Sequence, residues 1–226
     1  MSSPLCYSVK CANCGFGNSI LRFGYHRLDY DDLDGKPNAN RRYTTLEHCT
    51  NCNYVSDQIN KIELLELSIV NSTSYQSIFI YDKQYPCPAT ILLEGRAYLL
   101  DALGLNLKKS QYLIYLCWEF ETASQSLSDY YRNKAVKSII DLYKELNLLS
   151  IDEIWQLNKF LLDSYRRLGR FKEAEKLLDN IRSGMSRDSE HVDYILFQEL
   201  AISRRDKRNY RTGVLLADWW KIKGDL

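Results

Sequence analysis

The sequence has no long run of apolar residues. Nothing in it approaches the roughly 18 to 20 consecutive uncharged apolar residues that a membrane helix needs, so no membrane span is expected. The N-terminal stretch MSSPLCYSVKCANC lacks the apolar segment of a secretory signal, and a cytoplasmic setting is expected. An excess of charge of either sign is also lacking, with 30 Lys and Arg against 29 Asp and Glu, a net +1. Domains that hold nucleic acid by bulk electrostatics are clearly basic, so that class is disfavoured. Proline is sparse, four in 226 residues, and absent after Pro88. Histidine is sparser: His26, His48 and His191 are scattered in ordinary settings. There is no nucleophile elbow, no phosphate loop, no HExxH helix and no convincing acid–base pair. An enzyme is not expected.

Cysteine is the residue present in a telling pattern. Four of the seven form two Cys-x-x-Cys pairs, Cys11/Cys14 in KCANCGFG and Cys49/Cys52 in EHCTNCNYVSD. In a reducing compartment such pairs read as metal ligands before disulfides. A Cys-x-x-Cys knuckle puts two sulfurs on one ion while backbone amides point at them. The residue after the second cysteine then takes a positive φ, which suits Gly15 in the first loop and Asn53 in the second. Four thiolates complete a tetrahedral shell, so one structural Zn2+ per chain is expected on Cys11, Cys14, Cys49 and Cys52. A thioredoxin-like dithiol would need a βαβ context, and a catalytic zinc would need an open position; neither fits. His48 should diverge from the metal beside Cys49, and His26 lies mid-spacer. Of the other thiols, Cys117 in YLIYLCW reads as a core residue, Cys87 between two prolines as exposed, and Cys6 as too far upstream for a knuckle. The acidic spacer LDYDDLDGKPN is no calcium loop: with Gly35 sixth, Tyr30 and Arg41 would occupy positions that need carboxylates.

These features divide the chain into three. Residues 1–60 form a four-cysteine, zinc-ribbon-like domain whose charges cancel, too poor in apolar residues to fold without a staple. Residues 61–88 connect; KIELLELSIV fits helix or strand, and SIFIY at 77–81 reads as a strand. Residues 89–226 carry the helical period. Helices are expected over ATILLEGRAYLLDALG, over SQYLIYLCWEFETASQSL with Ser110 as cap, and over DYYRNKAVKSIIDLYKEL, ending near Asn147. The next, SIDEIWQLNKFLLDSYRRLG, opens with a Ser150/Glu153 capping box. FKEAEKLLDNIRSG follows a tight Gly169-Arg170 turn, and weaker helices are expected near 189–204 and 209–222. The expected fold class is mainly α: a small β-containing zinc module, then an α-helical array.

With these residues quoted, the chain resembles an uncharacterised bacterial family, domain of unknown function 2225. The pattern of that family is a Cys-Pro-x-Cys knuckle, an Arg-Asp-x-Asp stretch with a Tyr, a second knuckle Cys-Pro-x-Cys-Gly-Tyr, and a tetratricopeptide-like helical part. Its counterparts here are CANCGF, RLDYDD, RRYTTLEHC and CTNCNYVSD, with Ala12 and Thr50 replacing the prolines and Asn53 the second glycine. The resemblance implies a zinc module and helical repeats, and no activity. In WQLNKFLLDSYRRLGRFKEAEKLLDNI, residues Leu161, Leu162, Tyr165, Gly169, Phe171, Ala174, Leu178 and Ile181 fall on the tetratricopeptide pattern. In such a repeat the groove face of the first helix would carry Gln156, Lys159, Asp163, Arg166 and Arg167, suited to an acidic peptide; an ordinary solvated face is the alternative. The basic run RRDKRNYR at 204–211 reads as a solvated loop or a phosphate site. The function these features point to is a non-catalytic, zinc-stapled protein–protein interaction adaptor. A nucleic-acid-binding zinc ribbon is the alternative.

Overall fold

Two hairpins open the chain. Strands β1 (Leu5–Lys10) and β2 (Gly17–Arg22) run antiparallel, with Leu5 opposite Arg22 and Lys10 opposite Gly17. Strands β3 (Glu47–His48) and β4 (Val55–Ser56) make a second, short antiparallel ladder. Each hairpin closes through a Cys-x-x-Cys loop. The computed structural model describes residues 5–22, 46–80, 88–121, 123–143, 149–184 and 191–208.

Eight helices follow among these residues: α1 (Leu64–Val70), α2 (Thr73–Ile78), α3 (Pro88–Ala102), α4 (Asn106–Phe120), α5 (Gln125–Leu142), α6 (Ile151–Arg167), α7 (Phe171–Ser183) and α8 (Val192–Ser203). They stack as successive pairs, α3 with α4, α4 with α5, α6 with α7 and α7 with α8. The fold class is therefore as expected, mainly helical with small cysteine-bearing hairpins at the N-terminal side. No helix among the described residues is long and apolar enough to cross a membrane.

The elements differ from expectation in two places. The ambiguous KIELLELSIV contains helix α1, and the strand expected at 77–81 does not form: Ser77 and Ile78 end α2. The cause is local. Ser72 caps α2, its hydroxyl oxygen accepting the Tyr75 amide at 3.2 Å, and the fully buried Tyr75 anchors the turn. Packing of that side chain overrides the β propensity of the residues after it. Ser110 does not cap α4, which already starts at Asn106. Ser110 sits a turn inside and is buried, donating to the Asn106 carbonyl at 2.9 Å and lying 2.7 Å from the Ser138 hydroxyl on α5. The Ser150/Glu153 box does form: the Ser150 hydroxyl accepts from the Glu153 amide at 3.2 Å, and the Glu153 carboxylate accepts from the Ser150 amide at 2.9 Å. Asn147 and the helix expected at 209–222 lie outside the described residues.

By contacts the chain divides into two compact units, one holding both hairpins with α1–α5, the other α6–α8. The divisions expected at 60 and 88 fall inside the first unit. One cluster of buried side chains explains why: Cys11, Cys49, Tyr54 and Ile59 of the cysteine hairpins pack with Val70 of α1, Tyr75 of α2 and Leu99 of α3. Glu47 adds a polar tie, accepting the Tyr7 hydroxyl from β1 and the Ile59 amide at 3.0 Å. A second tie reaches α3, where Arg96 pairs with Glu66 at 3.1 Å and Glu66 accepts the Tyr54 hydroxyl at 3.0 Å. In the second unit Gly169 takes φ 74° at the turn between α6 and α7. Ala174 is fully buried there, beside buried Leu161, Tyr165 and Leu178.

Candidate metal centre

The two cysteine loops repeat one construction. In the first, the Cys11 amide bonds the Phe16 carbonyl at 2.9 Å and the Gly15 amide bonds the Cys11 carbonyl at 2.8 Å. In the second, the Cys49 amide bonds the Tyr54 carbonyl at 2.9 Å and the Asn53 amide bonds the Cys49 carbonyl at 2.8 Å. Gly15 and Asn53 both take positive φ, 73° and 60°. Left-handed backbone costs glycine little and asparagine less than most residues, so the expected turn chemistry is realised in both loops.

These knuckles bring four sulfurs to one point. The Sγ atoms of Cys11, Cys14, Cys49 and Cys52 all lie within 4.8 Å of one another. Across the loops, Cys14 and Cys49 are 3.5 Å apart and Cys11 and Cys52 are 3.7 Å apart. A disulfide requires about 2.05 Å, so these are not bonded pairs. A tetrahedron with metal–sulfur bonds of about 2.3 Å has edges of about 3.8 Å, close to the two cross-loop separations, and the remaining pairs lie within 4.8 Å. The residues fit a four-coordinate metal ion. Cys11 and Cys49 are buried, Cys52 is half-buried and Cys14 is exposed, so the centre has one solvent-facing edge.

Hydrogen-bond donors surround the sulfurs. The Asn51 side chain acts most strongly on Cys14 and, with the Phe16 amide, brings that thiol down to about 6. Burial pushes the Cys52 thiol up to about 12 against donors from the Asn13 side chain and the Tyr54 amide. Burial likewise raises Cys11, opposed by the amides of Cys14 and Asn13. Cys49 receives the Asn18 side-chain amide at 3.6 Å. Asn18 is itself pinned, donating to the Phe16 carbonyl at 3.0 Å and accepting the Thr50 amide at 3.2 Å. The two knuckles therefore reach across: Asn13 of the first serves Cys52, and Asn51 of the second serves Cys14. Such donors offset the negative charge that four thiolates bring to a divalent ion and fix the ligand orientations.

Sequence reasoning found the four cysteines and missed these asparagines. The signal was present as a repeat, Cys-x-Asn-Cys in both loops, with Asn13 and Asn51 in equivalent positions. His48 turns away from the sulfurs as expected. Its ring stacks on Phe79 at 5.7 Å and lies 3.4 Å from the Asn53 side-chain oxygen, and burial lowers its pKa against that bond. Cys117 is buried in the core and Cys6 is exposed on β1. His26, Cys87 and the acidic spacer LDYDDLDGKPN lie outside the described residues.

The five residues expected on a docking face of α6 do not form one open surface. Gln156 is exposed and Lys159 half-buried, whereas Asp163 and Arg166 are fully buried. Arg166 donates to Asp163 at 2.5 Å, to the Gln198 side chain at 3.2 Å and to the carbonyls of Asp206 and Arg208 at 2.6 and 2.7 Å. Arg167 lies 3.8 Å from the same Asp163 carboxylate. These charges fasten the chain after α8 onto α6. That bond set also places the first half of the basic run: Arg166 holds its backbone, and Arg205 lies over the Phe171 ring at 5.5 Å. No family model, curated protein or solved structure matches the chain.

Proposed function

We propose that this chain is a non-catalytic protein–protein interaction adaptor whose cysteine hairpins are stapled by one structural zinc ion. The observation that carries the reading is the set of four sulfurs, two from each hairpin, gathered within 4.8 Å of one another. Zinc suits such a set because it imposes no other geometry and accepts four thiolates. When bound it supplies a cross-link between the two loops. With all four positions taken by sulfur, none is left for water or substrate, which favours a scaffold over a catalyst.

The chain's own residues prepare that role. Asn13, Asn18 and Asn51 orient the sulfurs, and the hairpins share their core with α1–α3, so the metal end and the helical end of this unit stabilise each other. The kinship proposed with domain of unknown function 2225 stands on the cysteine spacing and the helical body. A tagged, zinc-loaded full chain should retain a protein partner in stoichiometric amount from native extract, and Cys49→Ser should release it. Recovery of nucleic acid with steep salt dependence in place of a protein would favour the zinc-ribbon alternative. Recovery of neither refutes the adaptor reading.

A further inference from the structure

The four sulfurs are not equally reachable. Cys11 is 2% and Cys49 0% exposed, and Cys52 is half-buried, whereas Cys14 and the next three residues, Gly15, Phe16 and Gly17, are all exposed. We propose that Cys14 is an oxidation site, where hydrogen peroxide enters the centre and drives a disulfide with Cys49 that takes the place of the zinc staple. The proposal rests on the zinc reading and adds to it a way of removing the metal without parting the two loops.

An oxidisable thiol of this kind needs access from solvent and a second sulfur beside it. Cys14 has the access. The turn after it leaves its outer side uncovered, because no atom lies within 4 Å of where a Cβ would stand on Gly15 or Gly17. A metal-bound cysteine is a thiolate, the nucleophilic form of sulfur. Cys14 also has the second sulfur, since Cys49 Sγ lies 3.5 Å away on the other loop. A disulfide requires about 2.05 Å, so closure takes a movement of about 1.5 Å. Cys49 is fully buried, with the Asn18 side-chain amide 3.6 Å from its sulfur, so peroxide meets Cys14 first and Cys49 resolves it. Cys6 is also exposed, but it lies on β1 and is not one of the four gathered sulfurs.

The chemistry has two steps. The Cys14 thiolate attacks one peroxide oxygen, the O–O bond breaks, and the leaving hydroxide takes a proton from solvent to become water. Cys14 is then a sulfenic acid. The Cys49 thiolate attacks the Cys14 sulfur, the S–S bond forms as the S–O bond breaks, and a second hydroxide leaves and is protonated. Two thiolates have lost two electrons and peroxide has become two waters. Cys11 and Cys52 are left as the only thiolate ligands, half of the shell that holds zinc. The new bond joins the first loop to the second, as the metal did, so the loops stay tied while the metal leaves.

The test treats the full zinc-loaded chain with hydrogen peroxide, after its zinc content has been measured. The parent should release its zinc to a chromogenic chelator, and non-reducing peptide mapping by mass spectrometry should find Cys14 linked to Cys49. Reduction with a phosphine, followed by added zinc, should restore the starting content. Cys14→His keeps a fourth zinc ligand and removes the exposed thiol, and should slow release by at least about tenfold. Cys52→His, the same change at a half-buried ligand, should stay within about threefold of the parent. Equal slowing by both histidine variants overturns the proposal, as does a link between any other pair of cysteines or a Cys14 carried on to sulfinic acid without a disulfide. The mapping needs only the parent, so it decides the matter even where a variant fails to hold zinc. A chain that carries zinc and keeps it under peroxide overturns the oxidation site and leaves the zinc reading standing, whereas a chain without zinc at the outset overturns both.

Discussion

Asn18→Leu separates a metal-positioning role from a bracing one. Asn18 is buried between the hairpins and makes four contacts: its amide donates to the Phe16 carbonyl (3.0 Å) and to Cys49 Sγ (3.6 Å), and its oxygen accepts the Thr50 amide (3.2 Å) and hydroxyl (3.4 Å). Leucine keeps the size and removes all four. Loss of the two backbone bonds costs about 1 kcal/mol each, and loss of a donor to an ionised sulfur about 1.5–3 kcal/mol. Replacing a partner that orients a ligand weakens metal affinity about 10- to 100-fold, equivalent to about 1.4–2.7 kcal/mol. Competition against a chromogenic zinc chelator at fixed pH measures the affinity, and urea unfolding measures the stability. Asn18→Asp sharpens the result, because it keeps the oxygen that Thr50 uses and sets a carboxylate against the thiolate. It should lose at least as much zinc affinity as the leucine variant. If Asn18→Leu lowers stability while zinc affinity stays within twofold of the parent, Asn18 only braces the loops and the reasoning about the donor shell is wrong.

Three further outcomes follow from packing and charge. Arg96→Met leaves the buried Glu66 carboxylate without its cation and should cost about 3–5 kcal/mol in urea unfolding; Arg96→Met/Glu66→Gln should recover most of that, and an unchanged midpoint in the single variant would refute the tie between α3 and the hairpins. Ala174→Leu forces a larger side chain into a fully buried site beside α6 and should destabilise by about 1–3 kcal/mol in the same assay, whereas no change would argue against the close approach of α6 and α7. Glu153 is held below its ordinary value of 4.5, first by the Ser150 amide and then by its hydroxyl. With a depressed folded-state value, its capping contribution is complete above about pH 4.5 and lost as pH falls through the lowered value; urea midpoints measured from about pH 6 down to pH 3 should fall less in Glu153→Gln than in the parent, and identical profiles would contradict the box.

What could be read in advance was whatever a short window of residues decides. The cysteine spacing, the positive φ of Gly15 and Asn53 and the Ser150/Glu153 box are local, and the structure repeats them. The strand expected at 77–81 rests on β-branched and aromatic residues, while the deciding facts lie just upstream, in the Ser72 cap of α2 and the distant partners that bury Tyr75. Ser110 had the chemistry of a cap, but α4 starts at Asn106, and Ser110 lies inside it paired with the distant Ser138 on α5. Arg166 reads as a surface cation in a helical period, yet it meets Gln198 and the carbonyls of residues beyond α8, separations of 30 residues and more that no pattern encodes.

The most direct test of the account is the metal content of the purified chain. Elemental analysis by mass spectrometry, on protein prepared without added metal or chelator, should return one equivalent of zinc per chain, and Cys11→Ser/Cys49→Ser should return close to none. Zinc well below one equivalent in the parent, or an undiminished content in the double variant, would contradict a structural metal held by these four sulfurs.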